Sequence, residues 1–349
     1  MRILYVGSYD KNYSRNRIIL KGLSKNGVEV LQLPYATGFS KLSELFRRRH
    51  ADYDVMVVGF PGHFDVPFAS LQAKRNSKPL VFDAFVSVYD THVIDRRLVK
   101  KGSLKSYFYF YLDKFAFTLA DAVLVDTNEH MNYFSEEFNV KKERSKLLRL
   151  GADDDIFYPR EPAGACDGFK VTFHGTFIPL QGVQYIVKAA KLLEPNPDIK
   201  FEILGNGQTF NSVYTLSKSL NLHNVAFLNE LVRYEELPSF IANADVSLGI
   251  FGDTPKAMRV VPNKVYETLA MGKPLLTGDT PAAREILTNQ RDCLLCDMAN
   301  PEAIAASILL LKDDDLLRER IAKNGYQLFL KKFSTQVIGK EMKRILEKL

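Results

Sequence analysis

The sequence lacks tryptophan and contains only three cysteines in 349 residues. So few cysteines exclude a disulfide-stapled scaffold, and reduced thiols are typical of the cytoplasm. Cys293 and Cys296 form a Cys-x-x-Cys pair, but no second ligand pair at zinc-site spacing accompanies them. We therefore interpret both as reduced thiols in or beside a strand, and we expect a cytoplasmic protein.

Long hydrophobic runs are also missing. No uninterrupted apolar stretch approaches the roughly 18 residues of a membrane span. The short start Met1–Gly7 predicts a strand rather than a signal peptide. With 46% hydrophobic and 25% charged residues, the composition is that of an ordinary globular protein, and the length favours two domains.

Positive charge is concentrated in one half of the chain. Residues 1–160 hold 25 Lys and Arg against 19 Asp and Glu, whereas residues 161–349 hold 22 of each, so the whole net charge of +6 lies in the first half. Nucleic acid binding usually requires a denser basic footprint, so we expect no nucleic acid partner. A modest excess fits an anionic membrane surface or a phosphorylated acceptor, and a solvated face without a partner is the open alternative.

Strand-like and helix-like segments alternate through both halves, which predicts parallel sheets covered on both faces. A polar stretch over 153–168 separates the two series. We expect one domain over 1–160, a second over 161–333, and an amphipathic C-terminal helix over 334–349. The predicted strands lie at 3–7, 28–33, 55–59, 79–83 and 122–126, and then at 170–173, 200–204, 225–227, 245–250 and 274–277.

The segment 261–276 predicts a loop, a short helix and a buried strand. Pro262 and Asn263 suit the start of a helix. Backbone N–H groups at a helix start bind anions, and Lys264 adds a positive charge there. Glu267, one turn later, would repel an anion unless it serves another group. A sugar or ribose diol suits Glu267, because a carboxylate accepts hydrogen bonds from hydroxyls.

That segment resembles the nucleotide-sugar site of family 4 glycosyltransferases, the retaining group 1 enzymes with the GT-B fold. Four further short motifs resemble motifs of the family and follow one another in the family's order. They begin at Leu150, His174, Phe201 and Ala244. The resemblance implies two Rossmann-like, doubly wound parallel-sheet α/β domains that face each other across a cleft. It places the donor in the second domain and the acceptor in the first, with the C-terminal helix crossing back onto the first.

The activity implied by the resemblance is retaining glycosyl transfer, which we expect to be of the hexosyltransferase type and independent of a metal. The co-substrate would be a nucleoside-diphosphate sugar, with no further cofactor, and the acceptor a hydroxyl of a glycan or lipid-linked molecule. Cell-envelope or polysaccharide assembly is the expected setting, in the cytoplasm or peripheral at the inner face of the membrane. The alternative is a catalytically silent sugar-nucleotide or glycan-binding protein on the same fold. A nicotinamide-dependent enzyme is disfavoured, because Gly205-Asn206-Gly207 lacks the third glycine of a dinucleotide motif.

The donor site is expected at the carboxyl ends of the second domain's strands, where open parallel sheets bind ligands. Two departures remove cations that the family uses against the diphosphate: Thr176 stands where arginine is usual, and Gln181 where lysine is usual. Arg259 and Lys264 are the expected substitutes, although the family has a carboxylate at the Arg259 position. The expected donor-binding residues are Gly175, Thr176, Gln181, Gly205, Asn229, Pro262, Asn263, Val265 and Glu267, with Arg259 and Lys264 expected to be catalytic.

The first domain departs from the family as well. The family commonly has Asp-x-His where this chain has Asp83-Ala84-Phe85, so Asp83 becomes the best acidic group for catalysis. His63 and His92 could stand in, although a lone histidine is more often structural. The loop after the first strand offers further polar groups, with ordinary solvation and helix capping as the alternative. The expected acceptor-side residues are Tyr9, Arg15, Ser87 and His92.

The segment 96–111 is the basic and aromatic peak of the chain. Basic residues beside tyrosine and phenylalanine suit a membrane interface. The helical spacing of the aromatic residues instead favours a buried core stripe, so we expect only the preceding arginines and lysines to touch anionic lipid. The expected core stripe is Phe108, Tyr111, Leu112, Phe115 and Leu119.

Two acidic motifs resemble metal sites. Asp52 and Asp54 lie at the start of a predicted strand, away from its carboxyl end, and the run 153–155 lies in the predicted linker. We therefore predict no metal, since helix N-termini and cations can carry the charge of a diphosphate.

Overall fold

The computed structural model describes residues 1–34, 52–162, 168–229 and 232–349. They divide into two compact units. The first comprises Met1–Gly151 together with Phe333–Leu349, and the second comprises Ala152–Lys332. Each unit is an α/β layer structure in its own right.

The first unit contains a six-stranded parallel sheet with the strand order β2-β1-β3-β4-β5-β6. Its central strands are apolar at nearly every position because helices cover both faces of the sheet. The strands are β1 Arg2–Gly7, β2 Glu29–Pro34, β3 Val55–Val58, β4 Leu80–Phe85, β5 Ala122–Val125 and β6 Ser145–Leu147. Its described helices are α1 Ser14–Lys25, α2 Val66–Arg75, α3 Leu104–Leu119, α4 Asn128–Phe138 and α12 Thr335–Leu346, with a π-helical segment at Asp90–Asp95.

The last helix, α12, packs against α1 of the first unit. A Cβ built on Gly339 would lie 2.1 Å from the backbone of Gly22, so the two helices meet backbone to backbone at this crossing. Ile338 and Met342 of α12 join the same buried cluster as Ile18 of α1. The end of the chain therefore completes the core of the first unit.

The second unit contains another six-stranded parallel sheet, with the order β12-β11-β10-β7-β8-β9. The short strand β6 was not predicted from the sequence, whereas β12 coincides with the strand expected in or beside Cys293 and Cys296. The strands are β7 Phe169–His174, β8 Ile199–Leu204, β9 Val225–Leu228, β10 Val246–Leu248, β11 Leu275–Gly278 and β12 Leu294–Cys296. The described helices are α5 Val183–Leu192, α6 Phe210–Ser219, α7 Leu237–Ala242, α8 Asn263–Ala270, α9 Pro281–Arg284, α10 Pro301–Asp313 and α11 Asp315–Lys332.

The strand order reverses beside the first strand of each sheet. In the second unit this switch point lies between β7 and β10, which are direct neighbours although two strands separate them in sequence. Helices that leave the two neighbours toward opposite faces open a crevice at the carboxyl ends of the strands. The end of β7 and the connection that follows β10 therefore border the place where a ligand is expected.

Helix α3 contradicts one prediction. Phe108, Tyr111 and Phe115, expected in the core, are 53%, 61% and 54% exposed. The buried side of α3 includes Asp113 and Phe117 instead. Helical spacing correctly grouped the aromatic residues on one face, but polar contacts of Asp113 turn the opposite face inward.

The two cysteines of the Cys-x-x-Cys pair are free and buried, and Cys296 ends strand β12. Burial raises the pKa of Cys296 to about 12, so its thiol stays protonated at neutral pH. Cys166 lies outside the described residues. Across the described ranges, no helix combines the length and the apolar character needed to cross a bilayer.

Candidate functional site

Helix α8 starts beside the carboxyl end of β7. Pro262 precedes it in an extended conformation, and no side chain in the described part of the chain caps the helix start. The first N–H groups of a helix have no intrahelical carbonyl to bind. Those of Asn263 and Lys264 are therefore available to an anion, and the helix dipole adds partial positive charge at the same point.

The Lys264 side chain is buried, with 4% exposure. Its ammonium Nζ donates to Oε1 of Gln181 at 2.5 Å and lies 3.5 Å from the ring centroid of Phe173. Burial lowers the pKa of Lys264 well below its ordinary value of 10.5, while the nearby Glu267 acts to raise it. A second negative charge at this place would raise the pKa of Lys264 and so stabilise its protonated form.

Glu267 is paired with a residue that the sequence analysis did not assign to the site. Its Oε2 lies 3.0 Å from Nε2 of His174, and both side chains are buried. Because a carboxylate only accepts, Nε2 of His174 carries the proton. The other ring nitrogen, Nδ1, is buried and has no hydrogen-bond partner in the described ranges. The available signal was its position, because His174 ends strand β7 directly before the Gly175 turn.

Two glycine turns build the floor of this site. Gly175 has a φ of +147°, and a Cβ built there would lie 2.7 Å from Nζ of Lys264. A Cβ on Gly205 would lie 2.0 Å from the carbonyl oxygen of Gly175. Gly205, expected to bind the donor, thus supports the Gly175 turn by close backbone packing.

The remaining expected donor-site residues lie in the connections that follow β7, β9 and β10 and in helix α8. Thr176 and Asn229 are exposed, and Asn229 directly follows β9. Val265 is buried, and its N–H donates to the carbonyl of Pro262 at 3.0 Å. Arg259 is partly buried in the connection between β10 and α8, where its N–H bonds the carbonyl of Lys256. Lys256, a second buried lysine in the same connection, was missed by the sequence analysis.

In the first unit, the structure brings together two residues that were expected to have separate roles. Arg15 donates through Nε to both carboxylate oxygens of Asp83 at 2.8 Å and through Nη2 to Oδ1 at 2.6 Å. Both side chains are almost completely buried. Burial raises the pKa of Asp83, and the Arg15 guanidinium opposes that rise. Asp83, expected to be catalytic, and Arg15, expected to bind the acceptor, therefore satisfy each other inside the fold.

The side chain of Ser87 also makes a hydrogen bond inside the first unit. Its hydroxyl donates to Oδ2 of Asp113 at 2.6 Å, and the same carboxylate accepts from the N–H groups of Val88 and Tyr89. His63 lies 3.4 Å from the other oxygen of Asp113, and burial lowers the pKa of His63. Asp113 thus organises the loop that follows β4.

Two further expected acceptor-side residues lie elsewhere in the first unit. His92 is in the π-helical segment, with its ring 5.2 Å from the ring of Tyr109. The Tyr9 hydroxyl donates to Oε1 of Gln32 at 3.2 Å. Both side chains thus have contacts within the first unit.

The two acidic motifs have different surroundings. Asp54 accepts the backbone N–H of Arg2, and Asp52 pairs with the side chain of Arg2. Asp153, Asp154 and Asp155 bring carboxylate oxygens within 4.8 Å of one another. A cluster of acids is common without an ion, and the absence of a metal remains a prediction.

Most of the second unit matches a known protein family. Residues 159–328 match the family described as glycosyl transferases group 1. An uncharacterised glycosyltransferase of Methanocaldococcus jannaschii is 24% identical over 252 residues, which are 72% of this chain and 66% of the relative. A lipopolysaccharide core biosynthesis glycosyltransferase of Rhizobium meliloti is 24% identical over 176 residues, which are 49% of this chain and 47% of the relative. The chain thus spans about half to two thirds of the length of these curated relatives.

A solved structure extends the likeness of the fold to the whole chain. The Anabaena protein HepE in complex with UDP-glucose superposes with a TM-score of 0.75 at 16% identity and covers 100% of both chains. Two six-stranded parallel sheets with this likeness define an α/β protein of the GT-B fold class. The second unit, over residues 159–328, belongs to the group 1 glycosyltransferases, which confirms the family recognised from the sequence.

Proposed function

We propose that this protein is a retaining glycosyltransferase that moves a hexosyl group from a nucleoside-diphosphate sugar to a hydroxyl of a glycan or lipid-linked acceptor. One observation carries the proposal. The buried Lys264 ammonium lies beside Gly175 and the open start of α8, at the switch point of the second sheet. A buried cation is costly unless a partner offsets its desolvation, and a diphosphate supplies that partner.

The roles of the donor-site residues follow from this placement. Backbone N–H groups at Asn263 and Lys264, together with the Lys264 ammonium, would stabilise the negative charge that develops on the leaving diphosphate. Arg259 would add a second cation from the same connection. Glu267, fixed by its hydrogen bond to His174, would accept from the ribose hydroxyls. The UDP-glucose bound to the similarly folded Anabaena protein supports a UDP-sugar as the donor.

The proposal also covers the stereochemical outcome and the cellular setting of the reaction. The sequence resemblance supplies the retaining outcome, and the fixed cations and helix start would make a metal ion unnecessary. A relative named for lipopolysaccharide core biosynthesis supports a role in cell-envelope or polysaccharide assembly. We place the protein in the cytoplasm, with the positively charged first unit at an anionic membrane surface.

Nucleotide release from a panel of UDP- and GDP-sugars tests the proposal. We expect one donor to raise the melting temperature, and we expect Glu267→Ala to weaken that effect. Glu302→Ala is the matched control, because Glu302 is an exposed acid in the first turn of another helix of the same unit. The anomeric configuration of the product, read by NMR, decides between retention and inversion. If no donor shifts the melting temperature and Glu267→Ala behaves as wild type, the proposal is wrong; binding without turnover indicates a silent binding protein.

A further inference from the structure

Helix α3 directs large apolar side chains outward. A surface helix normally presents its polar side to water. On α3, residues three or four positions apart form an exposed aromatic and aliphatic stripe, which we call the α3 outer face. Its members are Leu104, Tyr107, Phe108, Tyr111 and Phe115, which are 91%, 53%, 53%, 61% and 54% exposed.

The orientation of α3 is fixed by contacts on its other side. Asp113 is fully buried and accepts three hydrogen bonds, from Ser87, Val88 and Tyr89. Phe117 stacks on Phe134 at 4.6 Å between ring centroids. Turning the aromatic stripe inward would expose Phe117 and leave these N–H and O–H donors without their acceptor. The outer face is therefore held outward by the fold.

The apolar surface continues beyond the helix. Phe64, 55% exposed, lies with its ring 6.2 Å from that of Phe108. Leu71, 61% exposed, is on the neighbouring helix α2, which packs against α3. Several large exposed side chains in one region form the kind of patch that marks an interaction surface.

The segment that carries the α3 outer face has mostly positive charges. The segment 96–119 contains six basic residues and a single acid, Asp113, whose carboxylate is buried. Lys105 and Lys114 leave the helix with their Nζ atoms 5.8 Å and 6.0 Å from the ring centroids of Tyr109 and Phe110. Such side chains lay their aliphatic stems along apolar surface and keep the ammonium at its polar edge. The exposed basic residues of the segment are Arg97, Lys100, Lys101, Lys105 and Lys114.

We propose that the α3 outer face docks the first unit on a bilayer that contains anionic lipid. Tyrosine and phenylalanine would enter the headgroup boundary, and the flanking ammonium and guanidinium groups would meet the lipid phosphates. A second copy of the chain fits less well, because pairing two such faces would bring two sets of positive charges together. The inference rests on the proposed function in one respect: docking would bring a lipid-linked acceptor to the enzyme.

The absence of tryptophan allows a direct probe. Phe108→Trp makes a protein with one tryptophan, on the α3 outer face. We expect its emission to shift to the blue with vesicles of phosphatidylcholine plus phosphatidylglycerol, and to remain unchanged with phosphatidylcholine alone. Leu316→Trp, at a 78% exposed position of α11 in the second unit, is the matched control and should not shift.

Vesicle co-sedimentation separates the apolar and charged contributions. The triple change Phe108→Ser, Tyr111→Ser, Phe115→Ser should lower binding at least about tenfold. The triple change Arg97→Gln, Lys101→Gln, Lys105→Gln should lower it on the order of 100-fold, and added salt should weaken wild-type binding. The control triple Lys188→Gln, Lys323→Gln, Lys331→Gln removes the same charge from exposed sites of the second unit and should bind as wild type.

UDP binding is measured on the same variants, so that the two proposals can fail separately. Vesicle binding without binding of UDP, GDP or any sugar nucleotide of the panel overturns the proposed function and supports docking. Docking is overturned if wild type that binds a nucleotide does not sediment with the anionic vesicles and the emission of Phe108→Trp does not shift, or if the control triple loses binding equally. Docking on a bilayer is also overturned if light scattering shows that wild type is a dimer and that the triple serine variant is a monomer. The α3 outer face would then bind a second copy of the chain.

Discussion

The ammonium nitrogen of Lys264 lies 2.5 Å from the side-chain oxygen of Gln181, 83 residues earlier in the chain. The resemblance to family 4 enzymes places a lysine at position 181, and this chain has glutamine there. The hydrogen bond brings the ammonium group of Lys264, which belongs to helix α8, next to the side chain at position 181. We propose that Lys264 of α8 supplies the positive charge that the resemblance places at position 181.

Diphosphate binding should depend on pH through Lys264. Burial lowers the pKa of this side chain, and a bound diphosphate would raise it again. Between the pKa of the empty site and that of the complex, binding must take up a proton, so affinity for UDP should fall by about tenfold per pH unit as pH rises. Calorimetry in buffers of different ionisation enthalpy measures this uptake. Lys264→Met should lose the dependence, and an identical pH profile in this variant would contradict the prediction.

The same substitution should stabilise the fold near neutral pH. The folded-state pKa of Lys264 lies below its ordinary value of 10.5, so the unfolded chain binds the extra proton and stability rises with pH between the two values. Below that window, the buried ammonium costs stability. We expect Lys264→Met to raise the free energy of unfolding by about 1 kcal/mol at pH 7, with a smaller gain near pH 10. Urea denaturation at both pH values measures it; a variant less stable than wild type at pH 7 would refute the expectation.

Gly175→Ala should impair the site directly. The new Cβ would lie 2.7 Å from Nζ of Lys264, at a backbone conformation of φ +147° that side chains rarely adopt. We expect at least about tenfold weaker UDP binding and a loss of about 1–3 kcal/mol in stability. Gly27→Ala is a matched control, because Gly27 has φ +69° and nothing within 4 Å of the new Cβ. It should lose some stability and keep wild-type UDP affinity, which titration calorimetry and thermal melts can compare.

Breaking the Arg15–Asp83 pair should be costly. Arg15 is 1% exposed, so Asp83→Asn leaves a buried guanidinium without its counter-charge and should destabilise the first unit by about 3–5 kcal/mol. Replacing both residues by leucine removes both charges, and should recover a large part of that loss. Chemical denaturation of the three proteins completes the comparison. A folded double variant that retains full transfer activity would show that Asp83 has no catalytic role.

Local features of the sequence were sufficient for most secondary structure. The apolar runs around Val57, Leu124 and Leu276 predicted buried parallel strands, and those strands are present because helices cover both faces of each sheet. The start of α8 after Pro262 was predicted from capping rules that act over a few residues. A strand as short as β6, which has three residues, contains too few residues for its hydrophobic pattern to be recognised.

What the sequence by itself determined, then, is the alternation of strands and helices, the family of the second unit and the group of residues that share each helix face. Only the tertiary structure decided that His174 pairs with Glu267 across 93 residues, and that α3 turns its aromatic stripe outward. Periodicity states which side chains lie together on a helix, but not which side faces the core. That choice depends on long-range contacts, such as the three hydrogen bonds that Asp113 accepts from the loop after β4.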